Sequence, residues 1–462
     1  DGIINPFGPQ TPAGTALLGT AAAKGTLFTA RGQVYSLDAQ ASREIGDWVG
    51  AGRSAAIAVG AEIRHESFKF VGNPSFDQLV ISSTGFDPAT DSEGKRNVTA
   101  VYTELNVPLL KSLDVTAAVR YDKYSDFGNT TNPKLSFRYQ PLQQLLFRGS
   151  YSTGFRAPSL FDLNAPATYT NTASNHDDPV RCPGGSAIAG VAPSDNCAIQ
   201  FIVLNGGNKA LQPEKSRNYT LGLVFEPMAD ANVSVDFWWI RLKQQIGVLS
   251  DDTLFGDPVK YAGLFHRAPD GSLSTDGSQC PGANCGYILD TSENLGEVHT
   301  NGVDLSGNYR LRAGSAGTFN FGLNSTYVIR YVFQNEAGGA FVDNVNQFQG
   351  NGAIAGGGVI FRWQHSATAQ WNLGSWGLGV TGHYKSGYLD QTAPNVVPSY
   401  TVFDLNGSWR PTKSILLAVG VRNVFDREPP FSNQAATFQV GYDPRYADPT
   451  GRAYYVRGTY SF

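Results

Sequence analysis

Segments in which apolar and polar residues alternate one for one recur along the chain, and no other feature restricts the possible folds as much. Between 112 and 125, Leu113, Val115, Ala117, Val119 and Tyr121 alternate with Asp114, Thr116, Ala118, Arg120 and Asp122. A period of two is the mark of a β-strand with unlike faces. The same pattern runs through Tyr219, Leu221, Leu223 and Phe225, through Val233, Val235, Phe237 and Trp239, and through Ile415, Leu417, Val419 and Val421. About fifteen strands are predicted, near 27–40, 54–68, 95–108, 112–125, 133–140, 144–153, 215–226, 231–245, 297–311, 317–330, 359–373, 376–389, 400–410, 413–424 and 451–462. Many reach ten residues. Soluble strands typically run about five or six, whereas a tilted strand crossing a bilayer needs about nine to eleven.

The connections fall into two classes that alternate along the chain. Short turns are expected near 109–111, 141–143, 227–230, 312–316, 374–375 and 411–412, with a longer one at 41–53. Long or variable loops are expected near 69–94, 126–132, 154–214, 246–296, 331–358, 390–399 and 425–450. Short turns on one rim and long loops on the other are the plan of an antiparallel transmembrane β-barrel in a bacterial outer membrane, with the long loops outside. Trp371, Trp376 and Trp409 flank short turns, where an aromatic girdle at the inner interface belongs. A secreted sandwich or propeller fits less well, since the strands are long and no blade repeat of about 40–50 residues is present.

Composition supports the all-β reading. Charged residues make up 16% and glycine is frequent at 52 residues, against about 25% charged in ordinary soluble domains. No apolar run approaches the roughly 18 residues of a spanning helix. The net charge of -4 and the absence of a Lys/Arg cluster give no reason to expect nucleic acid. Four cysteines form two close pairs, Cys182 with Cys197 and Cys280 with Cys285, each inside a Gly/Pro/Ser-rich stretch of an outer loop. Both read as disulfide staples, which point to an oxidising compartment. A zinc knuckle is the alternative, but the compact C-x-x-C-like spacing it wants is missing.

Five stretches, taken in order, resemble TonB-dependent outer-membrane receptors: STGFRAPSLFDL (152–163), LQPEKSRNYTLGLVF (211–225), TNGVDLSGNYRL (300–311), VGVRNVFDREPP (419–430) and the closing YYVRGTYSF. The resemblance implies a barrel of 22 strands around an N-terminal plug, so residues 1–462 are expected to be the C-terminal portion of such a barrel, about 15 strands of 22, without the plug. Parity agrees, because an odd strand count puts the two ends on opposite rims; residues 1–25 are then expected to be the remnant of an extracellular loop. The resemblance also implies TonB-coupled uptake of a scarce small molecule or metal chelate. A ferric siderophore is expected first, with cobalamin, an oligosaccharide or a passive porin or adhesin barrel as alternatives. Implied partners are the TonB complex acting through the plug, outer-membrane lipid, and the barrel-assembly machinery. The last of these would read the terminal aromatic strand, in which Tyr454, Val456, Tyr460 and Phe462 share one face.

No catalytic constellation stands out, and neither an enzymatic activity nor a cofactor is expected. Gly184, Gly185 and Ser186 begin like a nucleophile elbow, but Ile188 stands where a glycine is needed. His176 with Asp177 and Asp178 reads as solvated loop polarity, so no metal site is expected either. Asp114, Arg120, Asp236, Asp304 and Arg310 are placed on the lumen side. Phe155, Arg156 and Pro158 are expected to fix the passage from strand to long loop, and Asn423 and Asp426 to supply turn chemistry. Ligand capture is assigned to the loops, with Tyr169, His176, Arg181, Tyr261, His266 and Arg267 as candidate contacts, from loop length and aromatic and basic content.

Overall fold

A computed structural model describes residues 3–5, 8–77, 79, 91–277, 280, 282–350, 357–435, 437 and 439–462. Most of the expected loop at 69–94 lies outside the described residues. Fifteen long strands form the wall: β1 (Phe28–Gly46), β2 (Ala55–Gly72), β3 (Ser92–Leu110), β4 (Leu113–Tyr124), β5 (Gly128–Leu142), β6 (Leu145–Arg156), β7 (Glu214–Met228), β8 (Ala231–Lys243), β9 (Val298–Arg312), β10 (Thr318–Gln334), β11 (Trp363–Leu373), β12 (Trp376–Lys385), β13 (Tyr400–Trp409), β14 (Ile415–Arg422) and β15 (Ala453–Tyr460). Each pairs antiparallel with its neighbour in the chain, so the order in the sheet is the order in the sequence. All fifteen segments marked by the alternation are strands. Among the described residues β1 and β15 do not pair with each other, and the wall is an open sheet.

The two faces of the wall are unlike, and the ladder keeps each face continuous from strand to strand. Phe147, Leu223 and Val235 stand in register across β6, β7 and β8, and Leu221, Leu223, Phe225, Val233 and Phe237 are all exposed. An apolar face of this extent in water would drive association; against lipid tails it is at rest. At the short-turn rim this face ends in aromatics, where Trp376 stacks on Trp409 with centroids 5.5 Å apart. Trp371 lies on the same face and donates to the Ala316 carbonyl at 2.7 Å.

The opposite face is charged and internally paired. Arg64 reaches Glu62 at 2.5 Å and Glu66 at 2.7 Å. Arg120 joins Glu62 and Asp122 at 2.7 and 2.8 Å, and Arg96 joins Glu66 and Asp126 at 2.6 and 3.4 Å. Arg148 holds Asp236 through two hydrogen bonds, Arg53 meets Asp114 at 2.8 Å, Thr326 donates to Asp304, and Arg310 donates to Asn320. The residues expected on the lumen side therefore all belong to the polar face.

Several boundaries differ from expectation. The connection expected as a variable loop at 126–132 is a tight turn, because β5 already starts at Gly128 and pairs back to Tyr124. The strand expected from 359 starts at Trp363, since Val359 and Phe361 turn away to pack with Tyr388 and Val397. The strand expected to run to 389 stops at Lys385; Tyr388–Leu389 pairs instead with Val396–Val397. Residues Pro12–Ala21, expected as loop, form an α-helix capped by the Thr11 hydroxyl, which accepts from the Gly14 amide, with proline in its first turn.

The two longest loops are not separate excursions. Thr168–Asn171 and Tyr287–Leu289 flank Ile202–Asn205, the first antiparallel and the second parallel, and Phe265–His266 adds to the edge. Beneath this small mixed sheet Phe201, Val203, Leu249, Leu254, Leu273, Ile288 and Leu295 form a buried core. The two loops thus fold together as one layer on the long-loop rim.

Candidate ligand-capture site

The passage from wall to loop layer is fixed by charge and packing. Arg156 grips Glu214 through two hydrogen bonds of 2.8 and 2.6 Å, and Glu214 also accepts the Ile246 amide. The Pro158 carbonyl accepts from Arg96 at 2.6 Å, and Phe155 meets Tyr124 edge-on. Ser159 and Asp162 form a reciprocal capping box on the helix Leu160–Asn164. At the last loop Asn423 and Asp426 adopt φ of 48° and 55°, a left-handed conformation that Asn and Asp tolerate better than most residues. Their side chains tie the loop, since Asn423 exchanges hydrogen bonds with Arg427 and Asp426 accepts the Arg452 amide.

The structure distributes the six candidate contact residues among several roles. Arg267 makes two hydrogen bonds of 2.8 Å to Asp178, which is fully buried. Burial works to raise the Asp178 pKa, and the Arg267 pair together with the Val180 and Arg181 amides overcomes it, so the carboxyl lies below its ordinary range. Arg181 donates to the Asp270 carbonyl at 2.8 Å. Tyr261 and Lys260 both contact Glu336 of the loop after β10. His176 stacks on Phe255 at 4.2 Å. Tyr169 and His266 do come together, on either side of Tyr287 at 5.8 and 4.8 Å. Both arginines are therefore engaged in holding the layer, and Tyr169 and His266 are the two of the six that come together, through Tyr287.

Sulfur pairs staple the same layer. Cys182 is bonded to Cys197 and Cys280 to Cys285, with Cα atoms 5.5 and 5.2 Å apart. Asp177 lies close to the first pair, but both sulfurs are committed to each other and offer no thiolate to a metal. The hollow of about 570 Å³ beside them is lined by His176, Asp177 and Asp252, a set more acidic than an anionic ligand would want.

A larger hollow, about 850 Å³, lies on the polar face of β10–β14, beneath the last loop. Sequence reading missed it. His383, Lys385, Arg422 and Arg445 line it together with Tyr400 and Tyr446, and its carboxylates are Asp404 and Asp448. Arg445 is held by Asp443, Lys385 donates to the Tyr446 carbonyl, and the Arg422 guanidinium lies 5.8 Å from the centre of the Tyr455 ring. Burial raises the Tyr446 pKa, keeping its hydroxyl a neutral donor. The arrangement offers cations and aromatic faces to an anionic, ring-bearing solute entering between the loops. Alternation was a usable signal, because it puts His383 and Lys385 on the lumen side at the long-loop end of their strand.

A charged inner face, a lipid-facing outer one and a stapled loop layer on one rim are the features of part of the wall of an outer-membrane β-barrel. The chain belongs to the family described as TonB dependent receptor-like, beta-barrel, which matches residues 6–424. It is 23% identical over 391 residues to a probable TonB-dependent siderophore receptor, PirA, of Acinetobacter baumannii, covering 80% of this chain and 44% of that protein. The crystal structure of the siderophore receptor PirA from Acinetobacter baumannii superposes with a TM-score of 0.62 at 16% identity, over 94% of this chain and 55% of the other. A ferric enterobactin receptor variant (PfeA) from Pseudomonas aeruginosa, in complex with enterobactin, gives 0.64 at 16% identity, over 94% and 55%. This chain spans about half the length of these relatives.

Proposed function

We propose that the protein is a receptor for TonB-coupled uptake of a ferric siderophore, taken from outside by the loop layer and passed along the polar face of the wall. The observation that carries this reading is the 850 Å³ hollow, where His383, Lys385, Arg422 and Arg445 meet tyrosines on the lumen side of the long-loop rim. Guanidinium and ammonium groups suit the negative charge of a ferric chelate, and the rings suit its flat aromatic or apolar parts. The names of the relatives support the same ligand class. The TonB complex, the assembly machinery reading Tyr454, Val456, Tyr460 and Phe462, and capture by Tyr169, His266 and their neighbours belong to this proposal. Tyr454, Val456, Tyr460 and Phe462 are all well exposed at the edge of the sheet, which supports that part of the proposal.

Tryptophan fluorescence of the full-length protein in detergent, titrated with ferric chelates, iron-free chelators, cobalamin and maltodextrin, tests the ligand class. Saturable quenching by a ferric chelate alone is expected, weakened about tenfold or more by Lys385→Gln with Arg422→Gln. Equal response to cobalamin or maltodextrin would overturn it.

A further inference from the structure

We infer that the outward face of the long-loop rim carries a site for a phosphate-bearing lipid headgroup, centred on Lys215, Arg217, Arg241 and Lys243. The four residues sit in two directly opposed pairs, Lys215 against Lys243 and Arg217 against Arg241, on neighbouring strands β7 and β8. By the period of two they share the face of Tyr219, Leu221, Trp239 and Phe237, which is the lipid face. Like charges directly opposite one another destabilise a sheet, and here the arrangement occurs twice in succession.

One carboxylate answers the group. Glu297 takes Arg241 at 2.7 Å, Lys243 at 2.9 Å and His299 at 2.8 Å. Among the described residues no carboxylate lies within ion-pair distance of Lys215 or Arg217, and both side chains are exposed. The cluster therefore keeps an excess of positive charge that a bound anion would neutralise.

A hollow of about 330 Å³ adjoins these four side chains. It opens where the ladder between β5 and β6 stops at Lys134 and Ser152, while β5 continues beside β4 to Gly128 and β6 continues beside β7 to Arg156. Beyond that point the strand ends have no ladder between them; Thr131 and Thr153 line the gap, the Thr153 hydroxyl donating to the Asn132 side chain at 3.4 Å and the Thr131 hydroxyl being the one offered to a ligand. Arginine and lysine with a hydroxyl form a donor set suited to phosphate.

Position selects the lipid over the free ion. Just below the cations Tyr151 and Tyr219 pack with centroids 4.9 Å apart, and Trp239 stands opposite Tyr219 in the ladder. Such rings occupy the interface between headgroups and acyl chains, so the cations above them lie at headgroup height in the outer leaflet. The inference rests on outer-membrane placement and not on the ligand proposed above.

Native mass spectrometry of the full-length protein in detergent micelles tests it, with a bisphosphorylated diglucosamine lipid, its dephosphorylated form and inorganic phosphate as probes. The phosphorylated lipid is expected to bind at least tenfold more tightly than the dephosphorylated one. Lys215→Gln with Arg217→Gln should abolish that preference while leaving outer-membrane recovery and ferric-chelate binding unchanged. Equal binding of the two lipids to the unaltered protein, or an unchanged preference in the variant, would overturn the site. Inorganic phosphate displacing the lipid at equal concentration would overturn its assignment to a lipid. A variant that failed to reach the membrane would leave the comparison on the unaltered protein to decide.

Discussion

In the wall, Leu221, Leu223 and Phe237 point away from the protein while Arg64, Arg120 and Asp122 point inward; in the loop layer Phe201, Leu254 and Ile288 are buried and charge lies around them. The same residue types are arranged in opposite senses within one chain. The wall is held by its backbone ladder, since a strand in lipid has no other partner for its amides, and by ion pairs on the lumen side. The loop layer is held as a small soluble domain is, by burial of apolar surface and by two sulfur bridges. Damage should therefore spread differently in the two regions. A core change in the loops should leave the wall assembled, and a polar change on the lipid face should act on the wall first.

The largest expected effect is that of Phe201→Ala. Its side chain is fully buried among Val203, Leu254 and Ile288, and truncating a buried phenylalanine costs about 3–5 kcal/mol. Limited proteolysis should show loops 157–213 and 244–297 cut together while the heat-modifiable barrel band persists. Loss of that band would mean the two regions are one cooperative unit. Next, Cys182→Ser with Cys197→Ser opens a bridge spanning 15 residues, worth roughly 3 kcal/mol to the layer, and should raise proteolytic nicking between 182 and 197. From the other side, Leu223→Arg puts a charge in the lipid-facing band and costs roughly 2–4 kcal/mol near the bilayer middle. It should lower outer-membrane recovery, with ligand affinity unchanged in the molecules that assemble.

A further effect is one of pH. Burial, with Asp251 and Glu293 nearby, pushes the Asp290 carboxyl from an ordinary 3.8 up to about 7. Between those values the folded layer binds more protons than the unfolded one, so its stability falls as pH rises from about 4 to 7 and then levels. Protection factors for hydrogen exchange in 287–289, taken relative to the intrinsic exchange rate at each pH, should be higher at pH 5 than at pH 8, and Asp290→Asn should flatten the difference. The wall ladder should show no such trend.

The same contrast explains what could be read in the sequence. The wall was legible because lipid on one side and a polar interior on the other impose a period of two, as in 113–121, and because short and long connections alternate. The strand starting at 363 instead of 359 was missed because Val359 and Phe361 continue the period while packing into a loop cluster. The loop core was not legible at all. Phe201 and Ile288 lie far apart in the chain, and no local pattern joins them. Arg181 and Arg267 illustrate the same limit at the site, since a basic loop residue looks alike in sequence whether it faces a ligand or is held by Asp270 or Asp178. His383 and Lys385 were within reach of the pattern, but their pocket was not, because the last loop roofs it with Arg445 and Tyr446.

Uptake of radioactive iron presented as a ferric siderophore, by cells carrying the full-length protein, is the most direct test of the central claim. Measured with and without collapse of the proton-motive force, it should be saturable, should stop on de-energisation, and should leave ligand bound at the surface. Uptake that continues unchanged in de-energised cells, or that is the same in cells lacking the protein, would contradict it.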